Sequence, residues 1–333
     1  MNPDAKNLRR YCWNYSTLLL AILVAGQVSR AAEEPLRVTP NQVELVGNWD
    51  RAQLLVTKVD KSGQFSASSS DATAEAKYAS SNPAVATVNE RGQLVAVGNG
   101  ETIVEVRVGD WRGEANVTVK DVSGDPTIQY MKQVRPILSK AGCNMGACHA
   151  SQYGKGGFKL SVFGFEPSKD WTAMVRDQLQ RRVNFVQPDR SLLLLKPTMQ
   201  IPHQGGLRLK KGSVDYQLLV AWLKSGAAKP DSKAPKVTDL QVTPTHRVIK
   251  VNGRQQLRVI ATYDDDTVRD VTALAQYDSM DEGLMAVDRQ GQVTILGTGQ
   301  APIMVRFDGQ ATISTFVIPF GEKAELADWK SNN

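Results

Sequence analysis

The chain has 333 residues, of which 41% are hydrophobic and 22% are charged, so two or three compact units are expected. Its formal net charge is +6, from 40 Lys and Arg interspersed with 34 Asp and Glu. This mild, mixed charge forms no long basic run, so we expect no nucleic-acid partner.

Residues 1–32 have the pattern of a secretory signal peptide. Lys6, Arg9 and Arg10 precede an apolar run over residues 16–26, and small residues follow at 29–32. The run is too short to span a bilayer, although an uncleaved anchor remains the alternative. Loss of four basic residues and one acidic residue with this segment lowers the net charge from +6 to +3. We therefore predict an exported protein, periplasmic or associated with the envelope or cell surface, without a transmembrane span after cleavage.

The segment that begins at Leu36 recurs at Leu240. The matching stretches are Leu36–Pro40 with Leu240–Pro244, Gln53–Val56 with Gln256–Val259, Val88–Leu94 with Val287–Val293, and Gly98–Gly100 with Gly297–Gly299. Both copies alternate apolar and polar residues in short runs separated by glycine turns, which is typical of β strands. Strands at this spacing predict one β sandwich at 35–120 and another at 236–320.

Residues 125–229 have a different pattern. Apolar residues at every third or fourth position predict one helix over 128–138, just after Pro126, and another over 215–224, which Gly226 ends. The segment 230–235 is proline-flanked and polar, which is typical of a linker. We therefore predict a multidomain protein in which two all-β Ig-like sandwiches flank a mostly α-helical domain, with a tail at 321–333.

Cys143, Cys148 and His149 form the motif with the clearest chemistry. The third cysteine lies in the signal segment, so these are the two thiols of the mature chain. Covalent haem attachment needs two thiols for the vinyl groups and a histidine that follows directly and reaches the iron. The spacer has four residues rather than two, which requires a loop that Gly142 and Gly146 permit. We predict one covalent haem c; a Cys143–Cys148 disulfide is the alternative, and a zinc site lacks ligands.

A six-coordinate haem iron needs a second axial ligand, and the candidates are His203 and Met199. Both belong to the loop 196–206, which is rich in proline and glycine and precedes the last predicted helix. We favour His203, which directly follows a proline. Together with His149 it would make a bis-histidine iron site, whereas Met199 would give a higher reduction potential.

Five segments of the middle region follow a known pattern: Cys143–His149, Gly154–Leu160, Pro188–Leu193, Ile201–His203 and Trp222–Ala227. Together they resemble the planctomycete-type cytochrome c domain. Many members have Met-Pro-Pro where this chain has Ile201–His203, which places a histidine where methionine would bind iron. Both flanks resemble the bacterial Ig-like domain of group 2, whose marks are an opening V-T-P and a late glycine-containing hairpin.

The resemblance to the cytochrome family implies haem binding and electron transfer in the cell envelope, with a redox partner protein that the sequence does not identify. Larger relatives continue into further domains, so the resemblance also implies a short paralogue or a fragment. The alternatives are a non-haem Ig-like adhesion or scaffold protein and a haem enzyme with an open coordination site. We expect electron transfer rather than catalysis.

Overall fold

A computed structural model describes residues 35–60 and 62–321. The predicted signal peptide, and the predicted tail beyond residue 321, lie outside the described residues. Within them the chain is mostly β, with nineteen strands in six sheets and four short α-helices.

The first β sandwich is built by the first copy of the repeat. Its strands are β1 (Leu36–Thr39), β2 (Gln42–Val46), β3 (Arg51–Gln53), β4 (Leu55–Lys58), β5 (Lys77–Ser80), β6 (Ala86–Val88), β7 (Gln93–Ala96), β8 (Gly100–Val108) and β9 (Trp111–Lys120). They form sheets β2-β9-β8-β5, β3-β7-β6 and β1-β4, with β2 parallel to β9. Thr102, Val104 and Val106 of β8 are buried between exposed neighbours, so the predicted alternation fills the sandwich core.

The second sandwich repeats this arrangement with one additional strand. Its strands are β10 (Val237–Thr243), β11 (His246–Val248), β12 (Arg254–Gln256), β13 (Arg258–Tyr263), β14 (Val268–Asp270), β15 (Gln276–Ser279), β16 (Met285–Val287), β17 (Gln292–Ile295), β18 (Gly299–Phe307) and β19 (Gln310–Ile318). The sheets are β11-β19-β18-β15, β12-β17-β16 and β10-β13-β14. The additional strand β14 stands where the first copy has one isolated bridge, Thr57 with Asp71. The β strands expected in both copies of the repeat are therefore present.

The two sandwiches contact each other through equivalent residues. The backbone N–H of Gln256 donates to Asp71 at 2.7 Å, and that of Gln53 donates to Asp270 at 3.0 Å. Asp71 pairs with Thr57 on β4, and Asp270 pairs with the matching residue of β13. Each sandwich thus gives the other the same hydrogen bond, which is a pseudo-twofold contact.

The prediction of a mostly α-helical middle domain is wrong. The helices there are α1 (Arg135–Lys140), α2 (Pro167–Val175), α3 (Leu192–Leu195) and α4 (Val214–Lys224), with a π-helical turn at Tyr130–Val134 and 3-10 turns at Val162–Gly164 and Pro188–Arg190. Loops make up most of this region because residues with left-handed backbone conformations interrupt the helices. Just after α2, for example, Gln178, Leu179 and Gln180 have φ of 54°, 56° and 62°. α4 matches its predicted helix, with Ser213 accepting the capping hydrogen bond from Tyr216 N at 3.3 Å. The helix predicted over 128–138 is present as the π-helical turn and α1, which are continuous over residues 130–140. The described region therefore has no helical cytochrome fold.

This loop-rich region, called the insert below (residues 126–228), shares its hydrophobic core with the second sandwich. Buried insert residues such as Trp222 and Leu194 belong to the same cluster as Val259 and Phe316 of the second sandwich, whereas the first sandwich has a core of its own. Polar contacts likewise join the insert more to the second sandwich than to the first. Several side chains of the second sandwich reach the insert; for example, Asp308 pairs with Arg135, Gln276 donates to Ser139 O, and Arg269 donates to Lys132 O. From the first sandwich, Arg51 pairs with Asp215 of α4 at 2.8 Å.

Candidate functional site

A cavity of about 830 Å³ lies in the insert, between α1 with its following loop and the segment before α4. A volume of this size suits a cofactor or another large organic ligand. Its apolar lining consists of Ile137, Leu138, Phe158, Leu160, Leu192, Leu193, Leu209 and Leu219. Cys143, Cys148, His149 and His203 also line it, so the structure brings the four predicted site residues around one space although His203 is distant in sequence.

The two cysteines lie on a compact loop directly after α1. The helix ends where Cys143 N donates to Leu138 O at 2.9 Å, and the spacer closes because His149 N donates to Cys143 O at 3.1 Å. Asn144 is buried in the spacer and donates to Ser139 Oγ at 2.8 Å, which anchors the loop to α1. The loop that the sequence required between the thiols is therefore formed.

The thiols of Cys143 and Cys148 are free, with no disulfide between them. Burial raises the pKa of the Cys143 thiol to about 11. The neighbouring Cys148 contributes to this rise in pKa, while the guanidinium groups of Arg208 and Arg289 oppose it. Cys143 is thus a neutral thiol at pH 7, so it is not an activated nucleophile.

His149 is oriented by the hairpin that follows it. Leu160 N donates to His149 O at 2.8 Å, and the His149 and Phe158 rings pack with centroids 4.5 Å apart. The Nδ1 atom lies 3.0 Å from the carbonyl oxygen of Phe158, which can only accept, so Nδ1 carries the proton. Burial lowers the pKa of His149 and favours the neutral ring. The lone pair therefore resides on Nε2.

His203 has the same tautomer for the same reason. Its Nδ1 lies 2.9 Å from the carbonyl oxygen of Gly206, so the lone pair again resides on Nε2. The loop is closed by a hydrogen bond of 2.8 Å from Arg208 N to Pro197 O. A Cβ at position 205 would lie 2.8 Å from His203 Cε1, so a larger residue there would displace the imidazole ring.

The two imidazole rings form a matched pair. Their centroids are 6.3 Å apart and their planes differ by 16°. A backbone carbonyl holds Nδ1 of each ring, an arrangement that is usual for histidines that bind a metal through Nε2. Met199, the alternative ligand, does not line the cavity; it is 47% exposed and has φ of 57°. The structure therefore brings His203, and not Met199, to His149.

Basic residues also line the cavity. They are Lys155, Arg181, Arg182, Lys196 and Arg208, and the described lining contains no Asp or Glu. Arg182 is fixed by hydrogen bonds to Ala173 O at 2.8 Å and Gly157 O at 2.6 Å, and it lies over the Phe158 ring. The residues are scattered over fifty positions, so only the adjacent Arg181 and Arg182 offered a signal in the sequence.

The prediction of a metal-binding protein of cytochrome type needs correction. Residues 35–60 and 62–321 contain no group of three or more His, Cys, Asp and Glu that could hold a metal ion. They also lack the helical fold of that class. The prediction was wrong on both points, and what the cavity offers is two thiols and two imidazoles.

No family model matches the chain, and no curated protein matches it. Among solved structures, the S-layer protein rSbsC is similar at 10% identity, covering 87% of this chain and 28% of that one, with a TM-score of 0.23. Domains 5–6 of the S-layer protein SbsC are 12% identical over 86% of this chain and 97% of that one, with a TM-score of 0.31. Human protocadherin-24 EC1-2 is 9% identical over 85% and 97%, with a TM-score of 0.17. The chain spans about a quarter of the rSbsC length, and likenesses this distant carry no functional argument.

Within the described part of the chain, no helix combines the length and the apolar character needed to cross a membrane.

Proposed function

We propose that the chain is an exported Ig-like scaffold protein of the envelope or cell surface, in which two β sandwiches hold one cavity-bearing insert. The observation that carries this proposal is the reciprocal pair of hydrogen bonds from Gln256 to Asp71 and from Gln53 to Asp270. Domains joined only by a linker move relative to each other, whereas sandwiches that exchange backbone hydrogen bonds hold one orientation. The signal-type pattern at 1–32 supports export.

The insert is fastened on both sides, which supports a presenting role for the scaffold. Arg51 of the first sandwich pairs with Asp215 of α4 at 2.8 Å, and Gln276 of the second donates to Ser139 O at 2.6 Å. Ser139 in turn holds Asn144 of the thiol loop. The scaffold therefore fixes the cavity in a defined orientation.

The scaffold is tested by small-angle X-ray scattering of the mature chain. The wild type should scatter as one compact particle, and the double variant Asp71→Ala/Asp270→Ala should have a larger radius of gyration. The matched control is Glu75→Ala/Asp231→Ala, which removes two exposed carboxylates and should scatter as the wild type does. A wild-type curve that requires two independently moving sandwiches would refute the proposal.

A second function is favoured by the imidazole pair: the cavity holds one covalent haem c. Cys143 and Cys148 would bind its vinyl groups, and His149 and His203 its iron. The two ring centroids lie 6.3 Å apart, and because both Nδ1 atoms lie at backbone carbonyls, the Nε2 atoms are the ones that would bind iron. Such a haem supplies one-electron transfer, here with a redox partner protein, and has no open position for substrate.

The residues of the chain do the positioning for this cofactor. Phe158 O and Gly206 O accept the Nδ1–H of the two histidines, so both rings are oriented before the ligand enters. The apolar side chains of the cavity exclude water from the space between the rings. Asn144 fixes the loop whose closure places both thiols at the same cavity.

This second function is tested by intact-mass and absorption measurements after periplasmic expression with haem-maturation machinery. The wild type should gain the mass of one haem and show a low-spin six-coordinate spectrum. His203→Ala should lose the sixth ligand, whereas Met199→Ala should leave the spectrum unchanged. A chain that gains no haem and instead has a Cys143–Cys148 disulfide would exclude this function and leave the scaffold function intact.

A further inference from the structure

The outer face of one sheet of the second sandwich is apolar. In the sheet β11-β19-β18-β15, one face packs into the sandwich core, and the opposite face presents alternate residues of β18 and β19. Met304 of β18 lies directly opposite Ile313 of β19, which is 51% exposed. We call this surface the apolar face, and it consists of Met280, Pro302, Met304, Ala311, Ile313 and Val317.

The first sandwich has the same sheet, but the matching face is charged. The residue that matches Met304 in the first copy of the repeat is Glu105, and the residue that matches Ile313 is Glu114. These two glutamates also lie opposite each other, and both are exposed. The fold therefore accepts charged residues at both positions, so folding alone does not require the apolar residues of the second copy. An exposed apolar patch on one of two otherwise similar domains indicates an interaction surface.

The apolar face borders an exposed aromatic segment of the insert. Arg306, the next outward residue of β18, lies over the Phe163 ring, 5.4 Å from its centroid. Phe163 is 49% exposed, and Phe165, two residues further along the chain, is 87% exposed. Arg306 also pairs with Asp278 of β15 at 2.6 Å. This pair adds no net charge, so the face would not repel an identical face.

The size of this surface indicates what it can bind. Four strands about 4.8 Å apart, of which β18 and β19 have nine residues each, cover roughly 400 Å². The exposed parts of Phe163 and Phe165 add roughly 200 Å². Two such surfaces together would bury about 1,200 Å², which is at the lower end of specific protein interfaces. A neutral face of this size suits a second copy of the chain, since a twofold contact needs one patch that is complementary to itself.

We propose that two copies of this chain associate through their apolar faces, in a twofold dimer in which Met304 and Ile313 of each copy are buried. Removal of these side chains from water drives the association. The modest buried area predicts a weak, reversible dimer that dissociates in the micromolar range. This inference does not depend on a haem, and it adds a self-association surface to the proposed scaffold.

The test is sedimentation velocity of the full mature chain at concentrations from about 1 µM to about 1 mM. The wild type should change from monomer to dimer over this range. Met304→Glu/Ile313→Glu introduces the residues of the first copy and should weaken the dimer at least about a hundredfold, because carboxylates from both copies would meet in an apolar contact. The matched control is Ile103→Glu, which changes a 41% exposed residue on the equivalent face of the first sandwich. This control should associate as the wild type does.

A wild type that stays monomeric would overturn the proposal, and so would a dimer that persists in Met304→Glu/Ile313→Glu. Oxidation by hydrogen peroxide then identifies the other occupant. A monomer in which Met304 resists oxidation, while the exposed Met199 is oxidised, would mean that another part of the chain covers the face. A monomer in which both are oxidised would leave the face to a different protein. Circular dichroism shows whether each variant is folded, and Ile313→Glu alone gives the same readout if the double variant does not fold.

Discussion

Asp71 and Asp270 occupy equivalent positions in the two sandwiches, and each accepts a backbone N–H from the other sandwich, at 2.7 Å and 3.0 Å. Their surroundings nevertheless differ. Asp270 has an ion pair with Arg258 at 2.9 Å, while the position matching Arg258 in the first copy is Leu55. Burial raises the pKa of Asp71 to about 6, although the hydrogen bond from Thr73 opposes the rise.

This raised pKa predicts a pH dependence of stability. Asp71 binds its proton more tightly in the folded than in the unfolded chain, whose value is 3.8. The resulting contribution to the free energy of unfolding is up to about 3 kcal/mol. It is fully present below about pH 4 and is lost as pH rises to about 6. Denaturant unfolding at several pH values should therefore show that the free energy of unfolding of Asp71→Asn decreases less over this pH window than that of the wild type. Glu75→Gln, on the exposed surface nearby, is the control, and equal slopes for wild type and Asp71→Asn would contradict the prediction.

Gly205→Ala should disturb His203 without unfolding the protein. The added Cβ would lie 2.8 Å from His203 Cε1, so the ring must move away from its hydrogen bond to Gly206 O. In the haem-loaded protein we expect a weaker or lost sixth-ligand signature in the absorption spectrum. Gly124→Ala is the matched control, because it lies outside the insert and nothing lies within 4 Å of a Cβ at that position. Identical spectra for Gly205→Ala and wild type would show that the ring is not held as described.

The buried ion pair between Arg135 and Asp308 should be costly to break. Arg135 has a side-chain exposure of 17% and Asp308 of 12%, and burial raises the pKa of Asp308. Arg135→Met leaves an unpaired buried carboxylate, so we expect the free energy of unfolding to fall by about 3 kcal/mol at pH 7. Lys169→Met breaks the exposed pair with Glu166 and should cost about 0–1 kcal/mol. Similar losses in both variants would count against this account.

Cys143 should react slowly with thiol reagents in the haem-free protein. Its pKa of about 11 leaves little thiolate at pH 8, so alkylation by iodoacetamide should accelerate steeply as pH rises towards 11. Peptide mass spectrometry of timed samples gives the rate at each pH. The same measurement in 6 M guanidinium chloride is the control, since unfolding removes the burial. Fast alkylation of native Cys143 at pH 7 would refute the buried, neutral thiol.

The sequence predicted the sandwiches well because their information is local. In β8 and the matching β18, apolar and polar residues alternate, and this alternation indicates which positions are buried and which are more exposed. The repeat predicts the same strands a second time. The helical prediction for 128–138 was less successful. The apolar residues of this segment lie on a π-helical turn and on the short helix α1. The helix ends soon afterwards, because the chain turns at Gly142, which has φ of 78°.

The site was predictable in part for a chemical reason. Two thiols and a histidine in one motif, and one further histidine beside a proline, limit the choice of ligands, so His149 and His203 could be named before their distance was known. The position of Arg208 could not be predicted in this way. Its place at the cavity depends on how the loop at Gly205 folds against the thiol loop, and no local pattern encodes the approach of loops so far apart in the sequence.

The common core of the insert and the second sandwich limits how this protein can be divided. Trp222 and Phe316 belong to one continuous apolar cluster, so cutting the chain at residues 230–235 would expose both faces of that cluster to water. We expect neither piece to refold alone, whereas the first sandwich, with its separate core, should tolerate removal better. In recombination between related genes, the insert and the second sandwich would have to be inherited together.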